Sequence, residues 1–384
     1  MKNPKEFAAY YQIQAIMLSL IVMGLAILIL FYCDFKTKVV IEDALASKQK
    51  VMVMLLVNGF RGDSSWADAH IDGLLDAVNH LGLQSEIHDN VNYQKCVNYI
   101  DRFVEATHGK GGLIMAPSYE FTVCVNEKSL QYPQYFFAGI FDDRVEQRPN
   151  LFSYSGKMHN IRYITGILAG YAVDSPEFGF IASERNPETY RDVNAFAMGL
   201  RYVRPDARVH VVMANTWHDH EQIQDAIRRL YHRYPQIQAI THSIDTDDVD
   251  FFCYHAGILC ISYGSNGGHY YRENSLAEAS WRWGVYYKHF ISSVNEGMFQ
   301  SGSQWVDFQS GNTVIRHVNY KLLPDRALTE MDKIVNLMVQ SRFDVFSGPI
   351  YDNNGELRVK RGEKLDPLYI MYSIDWFVEG VDEL

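Results

Sequence analysis

Three groups of residues in this chain have side chains suited to chemistry, and their spacing separates them. His218-Asp219-His220 sets two imidazoles around one carboxylate, the residue types of a metal clamp. A closed metal site needs further ligands at helical or strand spacing. None follows, so Asp219 is expected to be the N-cap of a helix. Asp63 and His70 have the types of an acid/base pair, but seven residues across a loop and a helix give proton transfer no fixed geometry. Phosphate loops of the G-x-G-x-x-G or P-loop kind are missing, as are G-x-S-x-G and H-E-x-x-H. Without a nucleophile, metal set or paired carboxylates, the chain is expected to be no enzyme and to need no cofactor. The third group differs in kind. Trp66 and Trp217 each stand in a loop rich in polar residues, the composition of a site that stacks a flat ring and hydrogen-bonds its edges.

The elements that hold these loops alternate. Short apolar runs at 51–57, 112–116, 135–140, 179–182, 209–214, 237–241 and 258–263 read as buried parallel strands. Helical patterns lie between them, over a stretch ending near Leu81 and at 95–104, 160–173, 187–202, 221–231 and 246–255. This alternation predicts βαβ units, and two consecutive sets of strands predict two doubly wound α/β lobes. Ligands of such sheets sit outside the carboxyl ends of the strands. Function is therefore expected in the loops 58–66, 116–120, 183–186, 215–219, 241–246 and 263–268.

Composition bounds the partners. Hydrophobic residues make up 47% of the 384, enough for a sizeable core, and a net charge of −11 argues against nucleic acid. Residues 15–33 (AIMLSLIVMGLAILILFYC) carry no charge and, as a helix, would span roughly 28 Å, close to the hydrocarbon thickness. Phe31, Tyr32 and Cys33 are the wrong sizes for signal cleavage, and Ala44-Leu45-Ala46 lies too far downstream. Cys33 invites a lipoprotein reading, which the bulky Tyr32 before it opposes. The chain is therefore divided into a flank (1–14), a transmembrane signal anchor (15–33), a linker (34–50) and an extracytoplasmic domain (51–384). Cys96, Cys124, Cys253 and Cys260 remain in the body, either as two disulfides or as buried thiols.

Read in order, the strand-end loops resemble the basic membrane protein family of substrate-binding proteins, which includes purine nucleoside receptors of ABC importers. Gly62-Asp63-Ser64-Ser65-Trp66 with His70 is similar to the G-D-x-x-W-x-x-x-H of its tryptophan-bearing branch. Arg162-Tyr163, Gly166 and Ala169-Gly170 look like its R-Y-x-x-G-x-x-A-G helix. Arg191, Asn194-Ala195-Phe196, Asn215-Thr216-Trp217 and Trp283-Gly284 continue the likeness. Its most specific part is C-terminal: Phe343-Asp344-Val345-Phe346, Gly348-Pro349-Ile350 and Asp375-Trp376-Phe377-Val378-Glu379-Gly380.

The resemblance implies a type I periplasmic-binding fold, two lobes joined by three crossovers and closing on ligand. It implies that Trp66 and Trp217 sandwich a purine base or nucleoside, with Asp63, Ser118, Tyr119, Asp245 and Asn266 as polar groups around it. Asp63 and Asp245 read equally as turn or capping residues. The implied partner is an ABC permease. A competing expectation is a ligand-sensing receptor that signals to a membrane partner, and another is a clamshell kept for interaction alone. Departures concern the ribose: nucleoside-binding members carry an Asp where Gly264 stands and a Lys where Trp281 stands. A free base is thus as well matched as a nucleoside. Glu184-Arg185-Asn186, and Lys157, His159 and Asn160, also depart from the family's pattern.

Overall fold

The computed structural model describes residues 17–32, 50–264, 271–306 and 308–384. Residues 1–50 form one unit and Val51–Leu384 another. In the first, residues 17–32 are helical with every side chain exposed. Among the described residues no helix is long and apolar enough to cross a membrane. Both ends of the expected anchor, including Cys33, and the linker up to residue 49 lie outside the described residues.

The second unit opens with β1 (Val53–Leu56), α1 (Trp66–Leu81), β2 (Ser85–His88), α2 (Tyr93–Ala106), β3 (Leu113–Pro117), α3 (Thr122–Gln131), β4 (Phe136–Ile140) and β5 (Leu151–Gly156). Helices cover both faces of this sheet, so its central strands are apolar throughout: all four residues of β1 and all five of β3 are buried. The chain then crosses into α4 (Met158–Ala172), β6 (Glu177–Ala182), α5 (Pro187–Val203), β7 (Arg208–Met213), α6 (His220–Arg233), β8 (Ala239–Ser243), α7 (Asp248–Ala256), β9 (Leu259–Tyr263) and β10 (Ser275–Trp281). The first lobe has the order β2-β1-β3-β4-β5 and the second repeats it as β7-β6-β8-β9-β10, all parallel.

The lobes are not filled one after the other, as consecutive sets of strands would require. After β10 the chain returns: α8 (Trp283–Asn295) packs on α1, and β11 (Gly302–Val306) pairs with β5 in the first lobe. It crosses once more to β12 (Thr313–Arg316), antiparallel to β10, and to α9 (Asp325–Val339) in the second lobe. The hairpin β13 (Ile350–Tyr351) and β14 (Leu357–Val359), α10 (Pro367–Tyr372) and β15 (Val381–Glu383), an edge strand beside β7, complete that lobe. Three crossovers join the lobes, at 156–158, 281–283 and 306–313. They are tightly packed: a Cβ on Gly156 would meet the Trp281 ring at 2.3 Å and Asn312 Nδ2 at 2.8 Å.

Two glycines set the depth of the second lobe's main helix contact. A Cβ on Gly199 of α5 would lie 1.9 Å from the Tyr163 carbonyl oxygen, and one on Gly166 of α4 would lie 2.2 Å from that of Phe196. The two helices therefore touch backbone to backbone. The buried Arg162 and Arg191 lie on these two helices.

Candidate ligand cleft between the lobes

In each lobe the strand order reverses between the first strand and its two neighbours, and a crevice opens there at the carboxyl ends. The loop after β1 faces the loops after β7 and β8 and the end of β9 across the gap. A cavity of about 440 Å³ opens between them, lined by the 60–65 loop, His218, His220, Asp245–Asp247 and Tyr263.

The first lobe's wall is knitted by its own carboxylates. Asp63 Oδ1 accepts the N–H groups of Ser65 (2.9 Å) and Asp68 (3.1 Å), and Oδ2 accepts that of Ala67 (2.9 Å). Asp68 reaches back to the N–H groups of Gly62 (2.8 Å) and Ser64 (2.9 Å), which hold left-handed φ values of 92° and 54°. Asp63 thus caps the start of α1, and both of its oxygens are engaged. Burial raises its pKa, and these three N–H donors lower it in part.

Ser65, the N-cap residue of α1, makes no cap within its own helix. Its hydroxyl donates across the cleft to Asp245 Oδ1 at 2.7 Å, and the Trp66 N–H also donates to Asp245. A carboxylate of the second lobe thereby sits at the N-terminus of a helix in the first, where the helix dipole favours negative charge. Burial pushes the pKa of Asp245 up to about 7, with Ser65 opposing and the charges of Asp63 and Glu188 adding to the rise. Further contacts bridge the lobes: Tyr119 is hydrogen-bonded to Arg191, Tyr372 to Ser153, and the Phe60 and His218 rings meet edge to face at 6.4 Å.

Behind this wall is an aromatic block. Trp66 Nε1 donates to the Pro117 carbonyl at 3.1 Å, and its ring stands edge-on to His70 (4.4 Å), Trp281 (5.5 Å) and Trp283 (6.2 Å). His70 stacks on Trp283 at 4.7 Å and its Nδ1 contacts the Tyr287 hydroxyl at 2.5 Å. Complete burial lowers the His70 pKa well below the ordinary histidine value, so it is a neutral packing residue. It makes no acid/base pair with Asp63, whose oxygens are spent on backbone.

The remaining expected site residues are spread around this centre. Ser118 caps the short turn after β3, accepting the Glu120 N–H at 3.4 Å, and Tyr119 is half-buried beside Arg191. Trp217 follows β7, half-buried, with its carbonyl accepting the Asp245 N–H at 2.7 Å. Asp63 and Asp245 line the cavity; Trp66 and Trp217 are not among its lining residues. Asn266 lies outside the described residues. Asp219 is the N-cap of α6, accepting the Gln222 N–H at 3.1 Å, and His220 is held by Asp248 at 2.6 Å.

Sequence reasoning passed over Phe60, Arg61, Tyr263 and Glu188. The first three stand in or beside loops already singled out, but position on a strand end does not say which side chain turns inward. Glu188, in the first turn of α5, adds negative charge to Tyr119, Asp192, Asp245 and Tyr263 at once, and its nearest cation is Arg191 at 3.8 Å. At the same ends of the sheets, Asn58 Oδ1, Ser183 Oγ and Thr189 Oγ1 are buried without a hydrogen-bond partner.

Comparison with known proteins agrees with this fold. The model of a family described as ABC transporter substrate-binding protein, PnrA-like, matches residues 50–343. A purine-binding protein of Brucella abortus is 22% identical over 337 residues, covering 88% of this chain and 94% of that protein. A putative ABC transporter glucose-binding protein of Haloferax volcanii is 23% identical, covering 84% of this chain and 78% of its own. Among solved structures, a transcriptional activator of the comK gene from Bacillus halodurans superposes with a TM-score of 0.66 at 21% identity, covering 76% of this chain and 98% of its own. An ABC transporter solute-binding protein from Aeropyrum pernix does so with 0.65 at 15%, covering 77% and 92%. At these identities the structures speak for the fold.

Proposed function

The chain belongs to the PnrA-like family of ABC transporter substrate-binding proteins, and from that premise we propose that it captures a planar, purine-like solute outside the cytoplasm and delivers it to an ABC permease. The observation that carries this reading is the convergence of both lobes on one cleft, with Asp63 and Ser65 on one side and Asp245 and Tyr263 on the other. Unpartnered polar atoms at the strand ends, Asn58 Oδ1 and Ser183 Oγ among them, supply hydrogen-bonding capacity that a ring edge would use. Trp66 and Trp217 are the proposed stacking walls, with Ser118, Tyr119 and Asn266 as further polar contacts. The Brucella relative, described as purine-binding, supports the ligand class.

A base fits this reading better than a nucleoside. The indole of Trp281 stands where nucleoside-binding members carry a lysine; it is 3% exposed and stacks on Trp283 at 5.2 Å. Gly264 replaces their aspartate, and a Cβ there would meet Ser65 Oγ at 2.7 Å. The uncharged stretch 15–33 is the proposed membrane anchor, read from its sequence.

Thermal unfolding of the body from Val51, a compact unit, tests the ligand class. A ligand at a hundred times its dissociation constant stabilises by about 2.7 kcal/mol, so adenine, guanine or hypoxanthine is expected to raise Tm by several degrees and nucleosides by less. No shift across the panel sinks the purine reading and leaves the fold untouched. Trp217→Ala is expected to weaken binding at least tenfold without lowering the Tm of the free protein; unchanged affinity would move the ligand away from that wall.

A further inference from the structure

The second lobe buries another set of reactive side chains, which the cleft does not use. His242 lies on β8, Asp250 and Cys253 on α7, and Cys260 on β9. Three of them have no exposed surface, and Cys260 is 1% exposed. Strand register brings them together: Ile240 pairs with Cys260 and Thr241 with Ile261, so His242 falls beside Ser262 on the face that carries Cys260. α7 packs over that face, and its residues 250 and 253, three apart, lie on one side of the helix. Ligand atoms of His242, Asp250 and Cys260 all lie within 4.8 Å of one another, and the Cys253 thiol is hydrogen-bonded to that of Cys260.

The surroundings are aliphatic, with Ile240, Ile244, Val249 and Ile258 among them. Polar groups in such a place are unfavourable unless each finds a matched partner, and here the match is incomplete. His242 Nε2 faces Asp250 Oδ2 at 3.0 Å and the Tyr263 N–H at 3.3 Å, one contact asking it to donate and the other to accept. Its Nδ1 is buried with no partner. A cation between imidazole and carboxylate would take a lone pair from each, in place of the proton between them.

The geometry points to a zinc-class site on His242, Asp250 and Cys260, whose ligand atoms already stand together, with Cys253, hydrogen-bonded to Cys260, turning in as the fourth ligand when the metal binds. Two sulfurs, one nitrogen and one oxygen form a set that selects zinc over magnesium or calcium. On binding, the two thiols release their protons to solvent, and imidazole binds in its neutral form. Ser262 Oγ donates to Asp250 and so orients that ligand from behind. Arg162 donates to the His242 carbonyl at 2.8 Å, placing positive charge beside an assembly that is net negative with the metal bound. The site would staple α7 to β8 and β9 directly behind Asp245 and Tyr263, and it is independent of which solute the cleft takes.

The test is the metal content of the full chain purified without chelator. One zinc per chain is expected, retained through dialysis and released by chelator plus denaturant. Exchange for cobalt is expected to produce the charge-transfer absorption of thiolate ligands. Cys260→Ser and His242→Asn are expected to lower zinc content at least tenfold, whereas the Cys96→Ser/Cys124→Ser pair leaves it unchanged. Buried substitutions risk misfolding, so the native chain decides independently. A Cys253–Cys260 disulfide in non-reducing peptide maps overturns the site. So do two free thiols in a zinc-free protein that gives no cobalt band, or bound zinc that survives Cys260→Ser.

Discussion

The two lobes share one strand order and are held together by different physics. The first buries little charge: His70, kept neutral, and Lys128, whose partner Asp101 is partly exposed at 2.6 Å. It is strapped instead by a disulfide between Cys96 and Cys124, joining α2 to α3. The second lobe buries Arg162, Arg191, Asp192, His242, Asp250, Glu278 and Asp352. Arg162 has no exposed surface; it contacts Asp192 at 3.4 Å, donates to the His242 carbonyl and the Ser243 hydroxyl, and lies 4.6 Å from the Tyr263 ring centre. The cleft inherits the contrast. The first lobe's Asp63 is saturated by backbone N–H groups of its own loop, whereas the second lobe's Asp245 reaches across the gap to Ser65 and Trp66.

The most forceful way to break this comparison is Arg162→Met. It leaves the buried Asp192 with Arg191 as its remaining cation, and loss of one partner of a buried pair costs about 3–5 kcal/mol. The pKa of Asp192 is pushed up to about 6 by burial, with Arg162 the first influence holding it down, so the variant carboxyl is expected to take up a proton near neutrality. Lys128→Met, the first lobe's counterpart, is expected to lose about 1 kcal/mol or less, since Asp101 is solvated. Equal losses in denaturant melts would show that the lobes do not differ. Next in size is Cys96→Ala/Cys124→Ala, expected to lose about 2–4 kcal/mol, read by the same melts with and without reductant.

The last effect is read as a pH dependence and is the most specific to the cleft. The pKa of Asp245 rises from 3.8 to about 7 on burial against the first lobe, so the closed protein holds this proton more tightly than the unfolded chain. Stability contributed by the group is full below pH 3.8, declines as pH rises from 3.8 to 7, and is level above that. Asp245→Asn is expected to flatten this slope relative to the native chain. Ser65→Ala removes the hydroxyl donor to the carboxylate and is expected to cost about 1–2 kcal/mol at neutral pH. A native-minus-variant difference with no pH dependence would mean that Asp245 does not bridge the lobes in solution.

The alternation of apolar runs and helical stretches was enough to read β1, β3, β4 and β6 to β9, though not the central β5, because residues covered on both faces must be apolar whatever their neighbours. β2 (Ser-Glu-Ile-His) and β11 (Gly-Ser-Gln-Trp-Val) escaped, since edge strands are half-solvated and their sequences tolerate polar residues. β10 escaped for the opposite reason: it is buried throughout yet carries Glu278, a charge in an apolar run. Asp219 was legible as a cap, because capping is local and depends on a few consecutive residues. The Cys96–Cys124 pairing was not, because chain separation says nothing about distance.

Local order therefore decided the class of fold, the strand-end loops worth inspecting and, with the likeness of several motifs in series, the family. Each depends on interactions within a few residues or on a pattern repeated along the chain. The interleaving of the lobes, the engagement of Asp63 by its own backbone and the reach of Asp245 to the far lobe's helix depend on where distant segments meet. Ser65 and Asp245 are 180 residues apart. Only packing brings a carboxylate that far to a helix N-terminus, and only there do burial and the helix dipole give it a property that its type alone does not carry.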